Sequence, residues 1–217
     1  YAASNPNPDA PAQGGSSEPG IVMVSVDCNG NGLPDDPWYE LAGSEYYKPG
    51  TRHGYTLTYW RPGPDHVPTP VDGSVSDGTY IRYESADGDT GWVQRNVYHS
   101  QDYWPGWLDP DRLTFTGTCL PPNAVDESHQ GNYYVQYAYP WGYADNHPND
   151  LGDLSCFKID WAVDASGRPV HLNGIDFIRV YTGINQQCGW LGETSTEISR
   201  AEDLHIPDGT PLPDIDI

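Results

Sequence analysis

The segment from Asp27 to Asp36 places oxygen-bearing side chains at a spacing that suits a divalent cation. Counted from Asp27 as position 1, side-chain oxygens fall at positions 1, 3 and 5, a glycine at 6, and acids at 9 and 10. Calcium takes about six to eight oxygen ligands, and the glycine allows the sharp turn that brings a position-7 carbonyl inward. The sequence therefore predicts a calcium site formed by Asp27, Asn29, Asn31, the carbonyl of Leu33, Asp35 and Asp36.

The predicted calcium loop departs from the EF-hand pattern. Position 12 is Trp38 instead of glutamate, so a bidentate acid has to come from Asp35, Asp36 or elsewhere. The loop also follows an apolar run typical of a strand rather than a helix. Its alternating Asp and Asn resemble the calcium loops of dockerins and thrombospondin type 3 repeats. The alternative is an Asx-rich turn that holds no metal.

Two other acidic segments are candidates for a second calcium site. Residues 86–89 read Ala-Asp-Gly-Asp, and residues 145–150 combine Asp and Asn ahead of Asp153. Short carboxylate and amide side chains beside Gly or Pro suit calcium, but they suit solvated turns equally well.

Two clusters of aromatic residues are the second chemical signal. They lie at 98–107 and 133–143, in a chain with 16 Tyr and 8 Trp against 3 Phe. Tyr and Trp join an apolar ring to a polar tip, so on loops they can stack against sugars or flat macrocycles. The alternative is that these rings pack the core. The predicted ligand-binding residues are Tyr103, Trp104, Trp107, Tyr139, Trp141 and Tyr143.

The charge balance and the missing motifs narrow the function classes. Ten basic against 31 acidic residues give a net charge of −21, which argues against nucleic acid and anionic membranes as partners. The seven His form no zinc motif, and the sequence has no nucleophile elbow, Walker loop or dinucleotide fingerprint. We therefore predict a non-enzymatic protein. A glycoside hydrolase is the enzyme class that the many acids leave open.

The cysteines and the chain ends indicate an extracytoplasmic protein. Cysteines stand at 28, 119, 156 and 188 without a CxxC spacing, which allows two disulfides in any of three pairings. Buried unbridged thiols are the alternative. No segment is apolar for long enough to span a membrane, and we expect an export signal to have been removed. The predicted location is the cell surface, through a lipid anchor, or the medium after secretion.

The remaining patterns predict a single β domain over residues 20–205. Residues 1–19 are predicted to be a flexible linker, because they are rich in Pro, Asn, Ser and Gly, and 206–217 a C-terminal tail. Eight short Val-, Ile-, Thr- and Tyr-rich runs lie between turn residues. They predict an all-β fold, a β-sandwich or jelly roll with long loops. One or two short helices are expected, at 38–44 and 194–204. The predicted strands are Ile21–Val26, Tyr55–Trp60, Thr79–Glu84, Trp92–Tyr98, Arg112–Thr118, Tyr133–Tyr139, Cys156–Trp161 and Ile175–Thr182.

Seven stretches carry a likeness to a known family over most of residues 20–204. They are GIVMVSVD (20–27), NGNGLPDD (29–36), WYELAGSE (38–45), YTLTYWRP (55–62), IDWAVD (159–164), GIDFIRVY (174–181) and GWLGETSTEI (189–198). These stretches resemble a largely uncharacterised family of exported surface lipoproteins from Gram-negative gut bacteria. Within that family the Asp27–Asp36 loop is similar to a calcium motif. Cys28 stands where a small residue is more usual, which suggests a disulfide at this loop.

The resemblance also implies a function, because some members lie near outer-membrane uptake systems, including those for cobalamin. It implies a surface protein that captures a small molecule, with cobalamin as the first expectation, and passes it to an outer-membrane transporter. A carbohydrate-binding module is the second expectation, since sugars also need flat rings and polar tips. A calcium-dependent adhesion or structural domain is the third.

Overall fold

Short β-strands joined by turns account for nearly all regular structure in the computed structural model, which describes residues 14–149 and 152–205. Val, Ile, Thr and Tyr favour strands, and the Gly, Pro, Asn and Asp clusters between them favour turns. The strands are β1 (Gly14–Gly15), β2 (Gly20–Ser25), β3 (Trp38–Leu41), β4 (Arg52–Trp60), β5 (Val75–Ser85), β6 (Thr90–Asn96), β7 (Arg112–Cys119), β8 (Ala124–Asp126), β9 (Tyr134–Tyr137), β10 (Ala162–Val163), β11 (Phe177–Thr182), β12 (Gln187–Cys188) and β13 (Gly192–Glu193).

The first sheet is antiparallel, in the order β10-β3-β2-β11. Its central strand β2 is almost wholly buried, with Ile21 and Val24 at most 1% exposed. Val24 packs with Leu41, Ala162 and partly buried neighbours in one core cluster, while Ile21 belongs to a second. The Asp27–Asp36 loop joins β2 to β3, so it connects two neighbouring strands of this sheet.

The second sheet is antiparallel, in the order β6-β5-β4-β7. Strand β4 pairs with only the last part of β5, from Arg82 to Ser85, whereas the β5–β6 pairing continues back to Val75. The first half of β5 therefore extends past the end of β4. The segment at 69–71 lies along this extension: the N–H of Gly78 donates to the carbonyl of Thr69 at 2.8 Å.

Two smaller sheets, in the orders β1-β9-β8 and β12-β13, complete the fold. The two large sheets meet where β7 ends. There the hydroxyl of Thr118 donates to the Glu40 carboxylate on β3 at 2.5 Å, and the hydroxyl of Tyr181 on β11 accepts the N–H of Thr118 at 2.8 Å. Tyr181 comes this close because the residue before Thr118 is a glycine. A Cβ at Gly117 would lie 2.5 Å from the Tyr181 hydroxyl.

The structure confirms the predicted all-β class and is consistent with a β-sandwich. Both helix predictions are wrong. Residues 38–41 form β3, because Trp38, Tyr39 and Glu40 pair with β2, and 194–204 contain no helix. The predicted strand at 156–161 is also wrong, since it ends in a 3-10 helix. Within the described residues the helices are three short 3-10 turns, at Gly152–Ser155, Ile159–Trp161 and Gly189–Leu191.

The predicted linker overlaps the fold at its end. Residues 1–13 and the predicted tail 206–217 lie outside the described residues, but β1 pairs with β9. Ser17, only 2% exposed, donates its hydroxyl to Asn146 Oδ1 at 3.0 Å. Residues 14–19 thus pack as part of the domain.

All four cysteines are present as thiols. None of the four, all within the described residues, forms a disulfide, and Cys119 and Cys188 are buried. Burial raises the pKa of the Cys188 thiol to about 11. The structure therefore has the unbridged thiols that the sequence left as the alternative, and no disulfide reaches Cys28 in the Asp27–Asp36 loop.

None of the helices among residues 14–149 and 152–205 has the length or the apolar run that crossing a bilayer requires.

Candidate functional site

The Asp27–Asp36 loop curls around the side chain of its first residue. Asp27 Oδ1 accepts the N–H of Asn31 at 3.1 Å, and Oδ2 accepts the N–H of Gly32 at 2.8 Å. Gly30 and Gly32 have φ angles of +70° and +73°, a conformation that costs a side chain energy but glycine none. Both glycines therefore allow the loop to turn sharply at these positions.

The other predicted ligands are joined by hydrogen bonds within the loop. Asp35 accepts Asn29 Nδ2 at 3.2 Å on one oxygen and Asn31 Nδ2 at 3.0 Å on the other. Asp36 Oδ2 accepts the N–H of Cys28 at 3.1 Å. Leu33 is 55% exposed, and its N–H donates to Asn31 Oδ1 at 2.8 Å. The structure thus brings the predicted side chains together, within one hydrogen-bonded loop.

The donor chemistry of this loop fits calcium. Carboxylates of three aspartates, amides of two asparagines and exposed backbone carbonyls are hard oxygen donors, and the loop is open to water. In the described part of the chain no group of three or more His, Cys, Asp or Glu side chains has metal-binding geometry. Calcium at the loop therefore stays a prediction.

One acid beside the loop escaped the sequence analysis. Asp176 lies just before β11, and its Oδ2 accepts the N–H of Asp27 at 2.8 Å. It ties β11 to the start of the loop from 149 residues away in the chain. The only sequence signal was an aspartate in front of an apolar run, which is too common to single it out.

The two other acidic segments use their side chains for protein contacts. Asp89 pairs with Arg52 at 2.7 Å, and Asp87 lies 3.9 Å from the same guanidinium. Asn146 is 1% exposed; its Oδ1 accepts the Tyr139 N–H at 2.8 Å and its Nδ2 donates to the Tyr139 carbonyl at 2.7 Å. Asp150 lies outside the described residues. These contacts account for Asp87, Asp89 and Asn146, and a second calcium site stays a prediction.

The predicted aromatic residues separate into two regions. In the 133–143 cluster, Tyr143 is 2% exposed and belongs to the core, and half-buried Tyr139 packs edge-on against it. Trp141 is 40% exposed, and its ring lies 4.6 Å from that of Trp161. None of these three residues lines the cavity described below, and their role in ligand binding stays a prediction.

The 98–107 cluster borders a cavity instead. Trp104 is 7% exposed and lines it, Tyr103 packs edge-on against Tyr80 behind the wall, and Trp107 is 82% exposed nearby in the chain. The cavity has a volume of about 550 Å³, within the range typical of small-molecule sites. It lies at the end of the second sheet where β4 ends, β5 begins and β6 ends.

A buried acid and a histidine form one side of this cavity. Asp77, 2% exposed, accepts His66 Nε2 at 2.5 Å on one oxygen and the N–H groups of Thr69 and Thr79 at 3.1 and 3.0 Å on the other. Burial opposes the charge of Asp77, but the hydrogen bonds from His66 and the backbone outweigh it and lower the pKa of the carboxyl. Asp77 therefore holds the imidazole of His66 in place as part of the wall.

Two arginines form another side of the cavity. Arg61 follows β4, with its guanidinium carbon 5.6 Å from the centre of the Trp104 ring, and Arg95 lies in β6, 5.2 Å from the Tyr80 ring. Asp102 adds an acid: its Oδ1 accepts the Tyr80 hydroxyl at 3.3 Å. Burial, with the charge of Asp102 as a second cause, raises the pKa of Tyr80. The cavity thus combines aromatic faces with both signs of charge.

Sequence reasoning found one residue of this cavity, Trp104, and missed its charged residues. The missed residues come from separate segments of the chain and match no motif. No sequence pattern pairs Arg61 with Arg95 or His66 with Asp77. The available sequence signal was a Pro-rich stretch at 62–70, which follows Arg61 and contains His66.

The chain matches no protein-family model, and no curated protein matches its sequence.

Proposed function

We propose that this chain is a non-enzymatic, extracytoplasmic binding protein that captures a small molecule in the cavity at the end of the second sheet. The observation that supports this most directly is the cavity itself, where aromatic rings and a few fixed polar groups converge. Sites of this composition hold ligands by ring contact and orient them by hydrogen bonds.

Two ligand classes are proposed, in order. A corrinoid comes first, in line with the family resemblance, and an outer-membrane transporter is then the partner that receives it. A corrinoid is broader than the cavity, so one edge or its nucleotide side chain would enter while exposed Trp107 offers a flat contact outside. A glycan comes second, because Trp, Tyr, Arg, His and Asp side chains also match sugar rings and hydroxyls.

Calcium has a separate structural role in the proposal. The Asp27–Asp36 loop joins β2 to β3 and contacts Asp176 at the start of β11, so an ion there would fasten three strands of the first sheet. The cavity lies in the second sheet. Calcium would therefore stabilise the domain without touching the ligand.

Binding is favoured over catalysis by the contacts of His66. Its Nε2 is bonded to Asp77, and among residues 14–149 and 152–205 no Ser, Thr or Cys side chain forms a hydrogen bond with the imidazole. A histidine that activates a nucleophile needs such a group within reach.

The proposal is tested by calorimetric titration of the calcium-loaded protein with cyanocobalamin and with a panel of oligosaccharides. We expect one of the two to bind, and Trp107→Ala to weaken that binding by roughly threefold to tenfold, the value of one aromatic contact. Trp107 is 82% exposed, so the change should leave the fold intact. The matched control is Trp92→Ala, on β6 and 43% exposed but outside the cavity lining, which should bind as the wild type does.

Failure of both ligand classes to bind would contradict capture and favour adhesion.

A further inference from the structure

Four of the eight arginines of this acidic chain lie directly against a carboxylate. The chain has 31 acidic residues for 10 basic ones. The close pairs are Arg52–Asp89 at 2.7 Å, Arg82–Glu84 at 2.6 Å, Arg168–Asp164 at 2.8 Å and Arg200–Glu202.

The two arginines of the cavity, Arg61 and Arg95, lie farther from the acids they pair with. The nearest paired acids are Asp111, 3.8 Å from Arg61, and Asp102, 3.5 Å from Arg95. Those carboxylate side chains are 88% and 77% exposed, whereas the arginine side chains are 33% and 28% exposed. Because water screens exposed acids strongly, they offset little of the arginine charge. The cavity therefore places two partly buried arginines side by side with exposed acids in a protein of net charge −21.

Backbone carbonyls hold each guanidinium in a fixed orientation. Arg61 donates from Nη2 to the carbonyl of Leu108, and Arg95 donates from Nη2 to the carbonyls of Ser100 at 2.5 Å and Gln101 at 3.3 Å. Carbonyls orient the group without neutralising it. Within the described residues, Nη1 and Nε of both arginines donate no hydrogen bond, and Arg61 Nε is buried. Each guanidinium is thus held in a fixed orientation and keeps Nη1 as a donor for a further acceptor.

Asp77 does not compete for these donors. Both its oxygens already accept hydrogen bonds from His66 and from backbone N–H groups, and it is 2% exposed. The rings of Trp104 and Tyr80, which belong to one core cluster, lie beside the two guanidinium groups. A ligand entering here meets aromatic surface and arginine N–H donors together.

We propose that the cavity binds a ligand whose anionic group, a carboxylate or a phosphodiester, is adjacent to a ring, and that Arg61 and Arg95 hold that anion. The inference rests on the proposed capture function and specifies its ligand. A guanidinium N–H group donates readily to an oxygen of either anion, and hydrogen bonds between charged groups are about twice as strong as neutral ones. The same anion can come from the carboxylate of an acidic sugar or from the phosphodiester of a corrinoid nucleotide.

Paired probes separate the two sources. Calorimetry of the full chain compares D-galacturonate with D-galactose, and cyanocobalamin with dicyanocobinamide, which lacks the nucleotide and its phosphate. In one of the two pairs the anionic member should bind roughly tenfold more tightly or better than its partner. Raising the salt concentration should weaken only the anionic member.

Variants then assign the effect to the cavity. Arg95→Met should remove at least roughly tenfold of the affinity for the anionic probe and leave that of the neutral probe within about twofold. Arg95→Lys keeps the charge without the fork and should recover part of the loss. The matched control is Arg82→Met, since Arg82 lies on the same sheet, pairs with Glu84 and does not line the cavity.

Equal affinity for charged and neutral members, or equal losses for both in Arg95→Met, would overturn the anion proposal while leaving capture standing. If none of the four probes binds, the anion proposal falls; if the oligosaccharide panel fails as well, capture falls with it.

Discussion

The Asp27–Asp36 loop and the cavity of the second sheet are both polar sites, but their residues are distributed along the chain in opposite ways. The loop takes its predicted ligands from ten consecutive residues, while the cavity draws on separate segments between 61 and 106. The loop is attached to the almost fully buried strand β2, and the cavity lies beyond the end of β4. The difference suggests that the first sheet provides stability and the end of the second sheet provides binding.

The largest effect is expected from the core of the first sheet. Ile21→Ala should lower the free energy of unfolding by about 2–5 kcal/mol, because it leaves a cavity at a side chain that is 1% exposed. Urea denaturation measures this. Ile178→Ala is the control, since Ile178 lies on β11 of the same sheet but is 52% exposed. Equal losses in the two variants would contradict the assignment of stability to the buried strand.

A second prediction concerns the acid where the two sheets meet. Burial raises the pKa of Glu40 from 4.5 to about 7, against the hydrogen bond from Thr118. At pH values between 4.5 and about 7, the folded state holds a proton on Glu40 that the unfolded state has lost. The free energy of unfolding therefore falls by about 3 kcal/mol as pH rises through this range. Glu40→Gln should therefore be more stable than the wild type near pH 8, by up to about this amount, and equal to it at acidic pH.

Urea denaturation across that pH range measures the difference between variant and wild type. Glu84→Gln serves as the control, because its side chain is 46% exposed on the second sheet and should not change the pH dependence. A constant difference between Glu40→Gln and the wild type at every pH would contradict the prediction.

The smallest of the three effects is expected from calcium. An ion that binds only the folded state stabilises it by about 2.7 kcal/mol when free calcium is about 100 times Kd. EDTA should therefore lower the melting temperature, and Asp27→Ala should abolish the difference between calcium and EDTA. The control variant Asp87→Ala changes an Asp-Gly turn outside the loop and should keep the difference between calcium and EDTA. A melting curve that EDTA does not change would remove calcium from the proposal. If EDTA changed affinity for the ligand as strongly as stability, the separation of the two regions would fail.

Local patterns explain which features the sequence could predict. The strands around Ile21 and Thr56 were predictable because alternating or continuous apolar runs between turn residues have few alternatives. The loop was predictable because its geometry depends on neighbours in the chain. The 38–44 helix failed because pairing of Trp38 and Tyr39 with β2 outweighed a helix-start signal at Asp36 and Pro37. The arginines of the cavity were hidden because tertiary structure alone brings their segments together.

The segment at 69–71 that covers the extension of β5 has a further consequence. An uncovered strand edge presents unpaired backbone groups to which another chain can add. Here Thr69 accepts the Gly78 N–H, and the N–H of Val71 donates to the Val75 carbonyl at 3.1 Å, so the edge is occupied. The same stretch of chain continues from the cavity wall at His66 and Pro68. Swinging this wall outward to load a ligand would uncover the edge and invite aggregation, so entry past the wall formed by Trp104 and Gly106 carries the lower risk.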